Sequence, residues 1–406
     1  MQPNSIDGDV LKKLNYLVGN ADVIRNITDV PALTAFDDVV VEFLDTLSKS
    51  LMTSKAAKEY PDVVTLGFWI RKSSVLRLRS RFLKETDDIM LGRGIAFHIA
   101  PSNVPVNYAY SLITGLLTGN ANIVRIPSKD FPQVSIINNA INEVLGSFSE
   151  MRPYICLVRY ERNQDINDDL SKLADTRIIW GGDSTISELR KSPLSPRACE
   201  ITFADRYSLA VIDSDKYLAL DEKEGFAQKF YNDTYLSDQN ACTSPRIVVW
   251  TGSKKAKAKD VFWKTLHDLV KKKYEFQPIM GINKLTSSYL AAVAEDDVKV
   301  EIGDDNYIFR INVKQASPAL MELKDNSGYF FEYDCEGILE IKEFCNNTHC
   351  QTIGYLGEKE DITRLLTSGI KGVDRVVPIG STMDFDLIWD GYNLVERLTR
   401  TIKVNL

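Results

Sequence analysis

Apolar positions recur along the chain with two different periods, and their alternation predicts an α/β fold. Between Phe36 and Leu51 they are spaced three or four residues apart, which predicts an amphipathic helix. Short continuous apolar runs are typical of buried strands, and they occur at 95–100, 121–126, 156–160, 177–180 and 208–212. Helical patterns at 106–117 and 132–147 separate the first of these runs. Strand, helix and strand in this order favour a parallel sheet.

The remaining pattern is less regular. A basic stretch from 68 to 81 predicts a second helix with solvated arginines, and further helices are predicted at 186–191, 220–231, 255–272 and 360–368. Strands are expected at 307–311, 352–356 and 375–378. The rest of 273–330 has no clear period, and we predict that this segment is largely irregular.

Length and charge narrow the class of protein. With 406 residues, of which 44% are hydrophobic, the chain is long enough for two or three lobes with substantial cores. A net charge of −7 argues against broad nucleic-acid binding but leaves room for a local basic site for a phosphorylated ligand. The sequence contains no apolar run of membrane-spanning length and no signal-like N-terminus, so we expect a cytoplasmic protein.

Cysteine and histidine usage directs attention to one thiol. Six cysteines are scattered without a CxxC pair, and there are three histidines, so neither a disulfide framework nor a metal site is indicated. Cys242 lies in a polar turn, Ser237–Arg246, directly before the apolar run Ile247–Trp250. An accessible thiol among small residues is a candidate nucleophile, and we expect nearby backbone N–H groups to lower its pKa.

A second candidate site follows the apolar run at 177–180. Gly181 and Gly182 lead into Asp183-Ser184-Thr185 and then a helix. Two glycines and hydroxyl groups at the start of a helix can hold a phosphate, although such junctions are common in α/β proteins.

Several motifs together resemble the LuxC-type acyl-CoA reductases, the fatty acid reductase family within the aldehyde dehydrogenase superfamily. They cover most of the chain, and their order and spacing are more specific than any one of them. The motifs are Phe68-Trp69-Ile70-Arg71, Pro101-Ser102-Asn103-Val104-Pro105, Gly119-Asn120, Arg125-Ile126-Pro127-Ser128, Trp180-Gly181-Gly182-Asp183, Asn240-Ala241-Cys242-Thr243-Ser244-Pro245, Cys350-Gln351-Thr352-Ile353-Gly354, Asp374 to Gly380, and Trp389-Asp390-Gly391.

The resemblance implies a fold and a division of the chain. It implies an aldehyde dehydrogenase-like α/β fold with a Rossmann-type cofactor domain and an α/β catalytic domain. Residues 1–80 would be a helical segment packed on the cofactor domain, 81–205 the nicotinamide dinucleotide-binding domain, and 206–390 the catalytic thiol domain. Residues 391–406 would be a tail that returns to the cofactor domain or forms an oligomer interface.

The resemblance also implies roles for individual residues. Cys242 would accept the acyl group from a thioester, and the Asn103 amide would help to stabilise the oxyanion. Cofactor contacts would come from Arg125, Ser128, Lys129, Gly182, Ser184 and Thr185. The superfamily's lysine corresponds to Ile126 here, so the ribose contact shifts to Arg125 or Lys129. Two cations near a ribose suit the 2′-phosphate of NADPH, with NADH as the alternative, unless they are only surface charges.

One departure from the superfamily bears on the reaction. The glutamate that activates water in hydrolytic aldehyde dehydrogenases corresponds to a position near Thr202, and Glu200 is out of register. Without that base the acyl intermediate would meet hydride rather than water, which favours a reductase unless Glu200 or Asp205 substitutes. The alternatives are a CoA-acylating aldehyde dehydrogenase working oxidatively and a non-catalytic subunit of an acyl-transfer complex.

The expected partners follow from the same resemblance. The acyl donor would be acyl-CoA, an acyl carrier or an acyl-protein, supplied by an acyl-transferase or synthetase. A homo-oligomer is expected, assembled through an added strand such as Ile402-Lys403-Val404-Asn405 or an internal hairpin. Nucleic acid and membrane-spanning segments are not expected.

Overall fold

A computed structural model describes residues 6–83, 88–101 and 104–405. Its helices are α1 Gly8–Lys12, α2 Ala21–Arg25, α3 Asp38–Thr53, α4 Pro61–Trp69, α5 Lys72–Phe82, α6 Asn107–Leu117, α7 Pro132–Val144, α8 Gln164–Leu173, α9 Asp183–Leu189, α10 Ser214–Ala219, α11 Lys223–Thr234, α12 Lys255–Lys273, α13 Pro278–Ala294, α14 Lys342–Asn346, α15 Lys359–Leu366 and α16 Leu394–Leu398.

The strands alternate with these helices over most of the chain. They are β1 Asn15–Val18, β2 Ile89–Gly92, β3 Ile95–Ile99, β4 Ala121–Arg125, β5 Ile155–Arg159, β6 Thr176–Trp180, β7 Cys199–Phe203, β8 Tyr207–Asp213, β9 Pro245–Thr251, β10 Lys299–Ile302, β11 Phe309–Val313, β12 Tyr329–Asp334, β13 Cys350–Leu356, β14 Arg375–Pro378, β15 Ile388–Trp389, β16 Tyr392–Asn393 and β17 Thr399–Ile402.

The chain forms two compact units. Unit 1 contains the residues up to Ala204 and those from Tyr392 onward, and unit 2 runs from Asp205 to Gly391. Among the described residues, no helix combines the length and the apolar character that crossing a bilayer requires.

Unit 1 is built on a six-stranded sheet in the order β1-β5-β4-β3-β6-β7. Only β1 is antiparallel to its neighbour, and the other pairs are parallel. The chain leaves β3 toward β4 and β5, and then returns to the other side of β3 with β6. The strand order therefore reverses between β3 and β6, which is the place where doubly wound sheets bind ligands beyond their carboxyl ends.

Within unit 1 the sequence pattern explains the elements. Helix α3 buries Phe43, Leu44 and Leu47 on one face, and Asp37 caps it by accepting a hydrogen bond from the Val39 N–H at 3.1 Å. The predicted helix over 68–81 is wrong in one respect, because the helix is interrupted at Ile70 and Arg71. The C-terminal strand β17 pairs antiparallel with β2 of the same chain, so Ile402 is already bonded within unit 1.

Unit 2 is built on a seven-stranded sheet in the order β10-β11-β12-β9-β8-β13-β14, with β10 antiparallel at one edge. Alternate residues of its central strands enter two different cores. Leu209 and Val249 pack on one face, and Ala210 and Trp250 pack on the other. Helices cover both faces, which is why these strands are continuously apolar in sequence.

Candidate active site

The loop that carries Cys242 lies at the amino end of β9. It follows α11 and a short 3₁₀ turn, Tyr235–Ser237, and it contains two residues with left-handed backbone, Asp238 (φ 50°) and Gln239 (φ 59°). The Cys242 side chain is partly exposed, whereas most of the described cysteines are buried. The predicted setting, a thiol in a polar turn before a strand, is confirmed.

Buried hydrogen bonds fix the conformation of this loop. The Gln239 amide donates to the carbonyls of Pro245 and Tyr329 at 2.9 and 3.0 Å, and its oxygen accepts from the Gly328 N–H at 3.0 Å. The Ser208 hydroxyl donates to the Cys242 carbonyl at 2.8 Å. Since both anchoring side chains are fully buried, the thiol is presented from a rigid support.

Polar groups from distant parts of the chain meet at this edge of the sheet. Strands β9, β8, β13 and β14 are adjacent and parallel, so their amino ends lie side by side. Arg206 precedes β8, Gln351 is the second residue of β13, and Arg375 opens β14. The topology therefore brings together three of the motifs that were 100 or more residues from Cys242 in sequence.

Gln351 and Asp390 form the closest polar surroundings of the thiol. The Gln351 amide donates to the Asp390 carboxylate, and hydrogen bonding from Gln351 favours the thiolate form of Cys242. Burial raises the pKa of Asp390 to about 6, although the nearby Arg206 charge opposes this shift. Sequence reasoning did not assign either residue to the site; the motif that each belongs to was the only signal.

Cys242 itself is held as a thiol in the protein without ligands. Burial raises its pKa to about 12, and the negative charge of Asp390 adds to the effect. Gln351, Arg206 and the local backbone N–H lower the pKa, but they do not outweigh burial. The prediction that backbone N–H groups would lower the pKa is therefore wrong in its net direction.

Arg206 is tied to its surroundings by an ion pair. Its guanidinium donates to the Asp374 carboxylate and, at 2.8 Å, to the Thr348 carbonyl. Asp374 in turn lies against Gly391, whose φ is 74° and where a Cβ would meet the Asp374 carboxylate at 2.8 Å. Only glycine fits both the backbone and the contact, so the Trp389-Asp390-Gly391 turn is built to approach Asp374.

The candidate cofactor residues lie in unit 1, on both sides of the point where the strand order reverses. Gly182 is the N-cap of α9, which begins at Asp183, three residues earlier than predicted. A Cβ at Gly182 would meet nothing within 4 Å, and Ser184 is exposed. Open backbone N–H groups at this junction fit a pyrophosphate. Thr185 packs instead against Gly181, within 3.2 Å of the Cβ position.

The candidate ribose contacts follow β4, on the other side of β3. Arg125 is the last residue of β4, where it donates to the Tyr160 carbonyl at 3.4 Å and lies over the Tyr160 ring at 4.7 Å. Ser128 and Lys129 are exposed, and the Lys129 ammonium lies 4.9 Å from the centre of the Phe131 ring. Lys129 and Ser128 are thus free to reach a ligand, whereas Arg125 is already partly engaged.

Glu200 is committed to structure. Its carboxylate pairs with Arg177 at 2.5 Å and with Arg190 at 2.8 Å. Burial would raise its pKa, but the two arginines outweigh burial and lower it. A carboxylate held as an ion pair in β7 is a poor water-activating base. Asp205 is exposed and lies 3.9 Å from the Lys324 ammonium.

The remaining predicted residues are quickly placed. Asn103 lies outside the described residues. His98 is buried between Ser111 and Asn122 at 2.7 and 3.0 Å, as expected of a structural histidine. His349 is exposed beside Asn347. In the described part of the chain, no group of three potential ligands for a metal ion was found.

Solved structures define the class of fold. The lactaldehyde dehydrogenase of Escherichia coli superposes with a TM-score of 0.62 at 13% identity, covering 91% of this chain and 87% of that one. An NAD-dependent benzaldehyde dehydrogenase of Corynebacterium glutamicum gives a TM-score of 0.60 at 13% identity, covering 99% and 95%. The chain has the aldehyde dehydrogenase fold.

Sequence comparison gives the family. The family model described as acyl-CoA reductase (LuxC) matches residues 22–296, and the chain belongs to this family. A long-chain acyl-protein thioester reductase of Aliivibrio fischeri is 24% identical over 301 residues, covering 71% of this chain and 58% of the relative. The Photorhabdus luminescens protein of the same name is 23% identical over 325 residues, covering 76% and 63%. The chain thus spans less than two thirds of either relative.

Proposed function

We propose that this protein reduces an acyl thioester to an aldehyde, with Cys242 as the acyl acceptor and NADPH as the reductant. The observation that carries the proposal is the surroundings of Cys242. A partly exposed thiol on a rigid loop lies among Gln351, Asp390 and Arg206, at the amino ends of adjacent parallel strands. The names of the two relatives support the same reaction class.

In the first half-reaction the Cys242 sulfur bonds to the thioester carbonyl carbon, and the bond from that carbon to the donor sulfur breaks. The donor leaves as a thiol after taking up a proton. Because Cys242 rests as a thiol, its proton must be removed when the substrate binds. Arg206 and Gln351 favour the thiolate at that moment, and the Asn103 amide and nearby backbone N–H groups are proposed to hold the oxyanion.

In the second half-reaction the acyl–cysteine carbon becomes an aldehyde as its bond to sulfur breaks. A nicotinamide cofactor supplies the hydride when it is bound. We infer that the Gly182–Ser184 junction binds its pyrophosphate and that Lys129 and Ser128 bind its ribose. The Lys129 ammonium, which is exposed, is suited to a 2′-phosphate and favours NADPH over NADH.

The ion-paired state of Glu200 favours reduction over hydrolytic oxidation. The test compares wild type with Cys242→Ala while reduced cofactor is supplied with long-chain acyl-CoA or with an acylated carrier protein. Thioester-dependent NADPH consumption that is lost in the variant is the expected result. Aldehyde oxidation with water as the acceptor, or equal turnover in both proteins, would contradict the proposal. Oxidation of aldehyde only with CoA would favour the CoA-acylating alternative.

A further inference from the structure

Helix α13 presents its apolar residues to solvent. Six large apolar side chains along it are between 38% and 87% exposed. We call them the α13 face, and they are Ile279, Ile282, Leu285, Tyr289, Leu290 and Val293. Positions 282, 285, 289 and 293 follow helical spacing, so they form a stripe rather than scattered exceptions.

The opposite side of α13 is the buried one, and it carries Lys284, Ser288 and Ala291. The Lys284 ammonium donates to the carbonyls of Asn306, Tyr307 and Ser327 at 2.6, 3.2 and 2.8 Å. These bonds fix the rotation of the helix about its axis. Rolling the apolar side inward would leave an ammonium and three carbonyls without partners, so the exposure is built into the fold.

The size of the α13 face matches an interface. Six side chains at this exposure present on the order of 700 Å² of surface, close to the ~800 Å² that each partner contributes to a standard-size interface. Soluble monomers rarely leave a contiguous apolar patch of more than a few hundred Å² uncovered. Some further surface therefore covers this stripe.

Charge at the two ends of α13 identifies the occupant. Lys271, Lys272 and Lys273 are exposed at the end of α12, and a four-residue connection joins them to the start of α13. Asp296 and Asp297 are exposed just after its end. Between these ends the only charged residue of α13 is the buried Lys284. An antiparallel pair of such helices places each basic end beside the partner's acidic end, with uncharged side chains between them.

We propose that the α13 face is a two-fold interface with a second copy of this chain, in which the two α13 helices pack antiparallel. A membrane surface is disfavoured, because helices that lie on membranes carry lysine or arginine along their polar side. The proposal concerns assembly and is independent of the reaction proposed for Cys242.

Sedimentation of the full chain at micromolar concentration tests the interface. We expect wild type to be dimeric and both Ile282→Lys and Tyr289→Lys to be monomeric. Each dimer would bury two added charges, so the dissociation constant should rise at least about 100-fold. Leu339→Lys is the matched control, because Leu339 is 44% exposed in the same unit but lies on the separate turn Ile338–Ile341. All four proteins should have the same melting temperature at concentrations where they are monomeric.

Cross-linking tests the antiparallel arrangement. Residue 286 is at the midpoint of the face, so in Thr286→Cys the two new thiols lie across the two-fold axis and should form a disulfide. In Val293→Cys they are roughly 20 Å apart, too far for a disulfide. A monomeric wild type, a dimer that persists in both lysine variants, or equal cross-linking of the two cysteine variants would overturn the proposal.

Discussion

The charge on Asp390 should control the reactivity of Cys242. Asp390 raises the pKa of the thiol, and its own pKa of about 6 means that it is almost fully ionised at pH 8. Asp390→Asn keeps the shape of the side chain and removes the charge. The thiol pKa should then fall from about 12, and the thiolate fraction at pH 8 should rise.

The size of the effect follows from charge interactions. A neighbouring unit charge shifts a pKa by about 1–3 units, so we take a fall of at least one unit. That raises the thiolate fraction about tenfold, while the less basic thiolate loses about two thirds of its intrinsic nucleophilicity. The net increase in alkylation rate should be at least about threefold at pH 8. Below pH 6 Asp390 in the wild type is protonated, so the difference between the two proteins should vanish.

The assay is iodoacetamide labelling followed by peptide mass spectrometry, with the peptide containing Cys199 as the internal reference, since Cys199 is also partly exposed. Gln351→Glu is the opposite-sign control: it places a negative charge beside the thiol and should slow labelling at pH 8. An Asp390→Asn protein that labels at the wild-type rate at pH 8, or whose rate ratio is the same at pH 5 and pH 8, would refute the reasoning.

Three other substitutions test the surroundings of the site. Glu200→Gln should lower the free energy of unfolding by about 3 kcal/mol, because it leaves a buried arginine without its partner, while acyl-enzyme formation at Cys242 persists. Ser208→Ala should cost about 1 kcal/mol and slow acylation, because the Cys242 carbonyl loses its anchor; stopped-flow acylation and urea unfolding measure both. Gly391→Ala should lower the melting temperature, with about 1–3 kcal/mol lost to strain and to the Asp374 contact. An unchanged melting temperature would contradict the account of that turn.

Local periodicity predicted much of the fold. The helix expected over 36–51 is α3, and the strands expected at 95–100 and 121–126 are β3 and β4. The prediction that 273–330 is largely irregular was wrong, because α13 occupies 278–294. Its apolar residues face solvent and its buried side carries a lysine, so the usual relation between apolar spacing and burial is inverted there.

The candidate site divides in the same way. Cys242 could be singled out from its own turn because its setting is local. Gln351 and Asp390 could not, since their proximity to the thiol depends on the order β9-β8-β13-β14, which no local pattern specifies. The direction of the Cys242 pKa shift was also missed, because burial is a property of the whole fold rather than of the residues beside the thiol.

The central claim is that Cys242 carries the acyl group. Long-chain acyl-CoA is mixed with the protein without reduced cofactor, and the intact mass and the peptide that contains Cys242 are measured by mass spectrometry. We expect a single acyl adduct on Cys242 that is absent from Cys242→Ala and disappears as aldehyde when NADPH is added. No adduct on the wild type with either acyl-CoA or acylated carrier protein, or the same adduct on Cys242→Ala, would contradict the account.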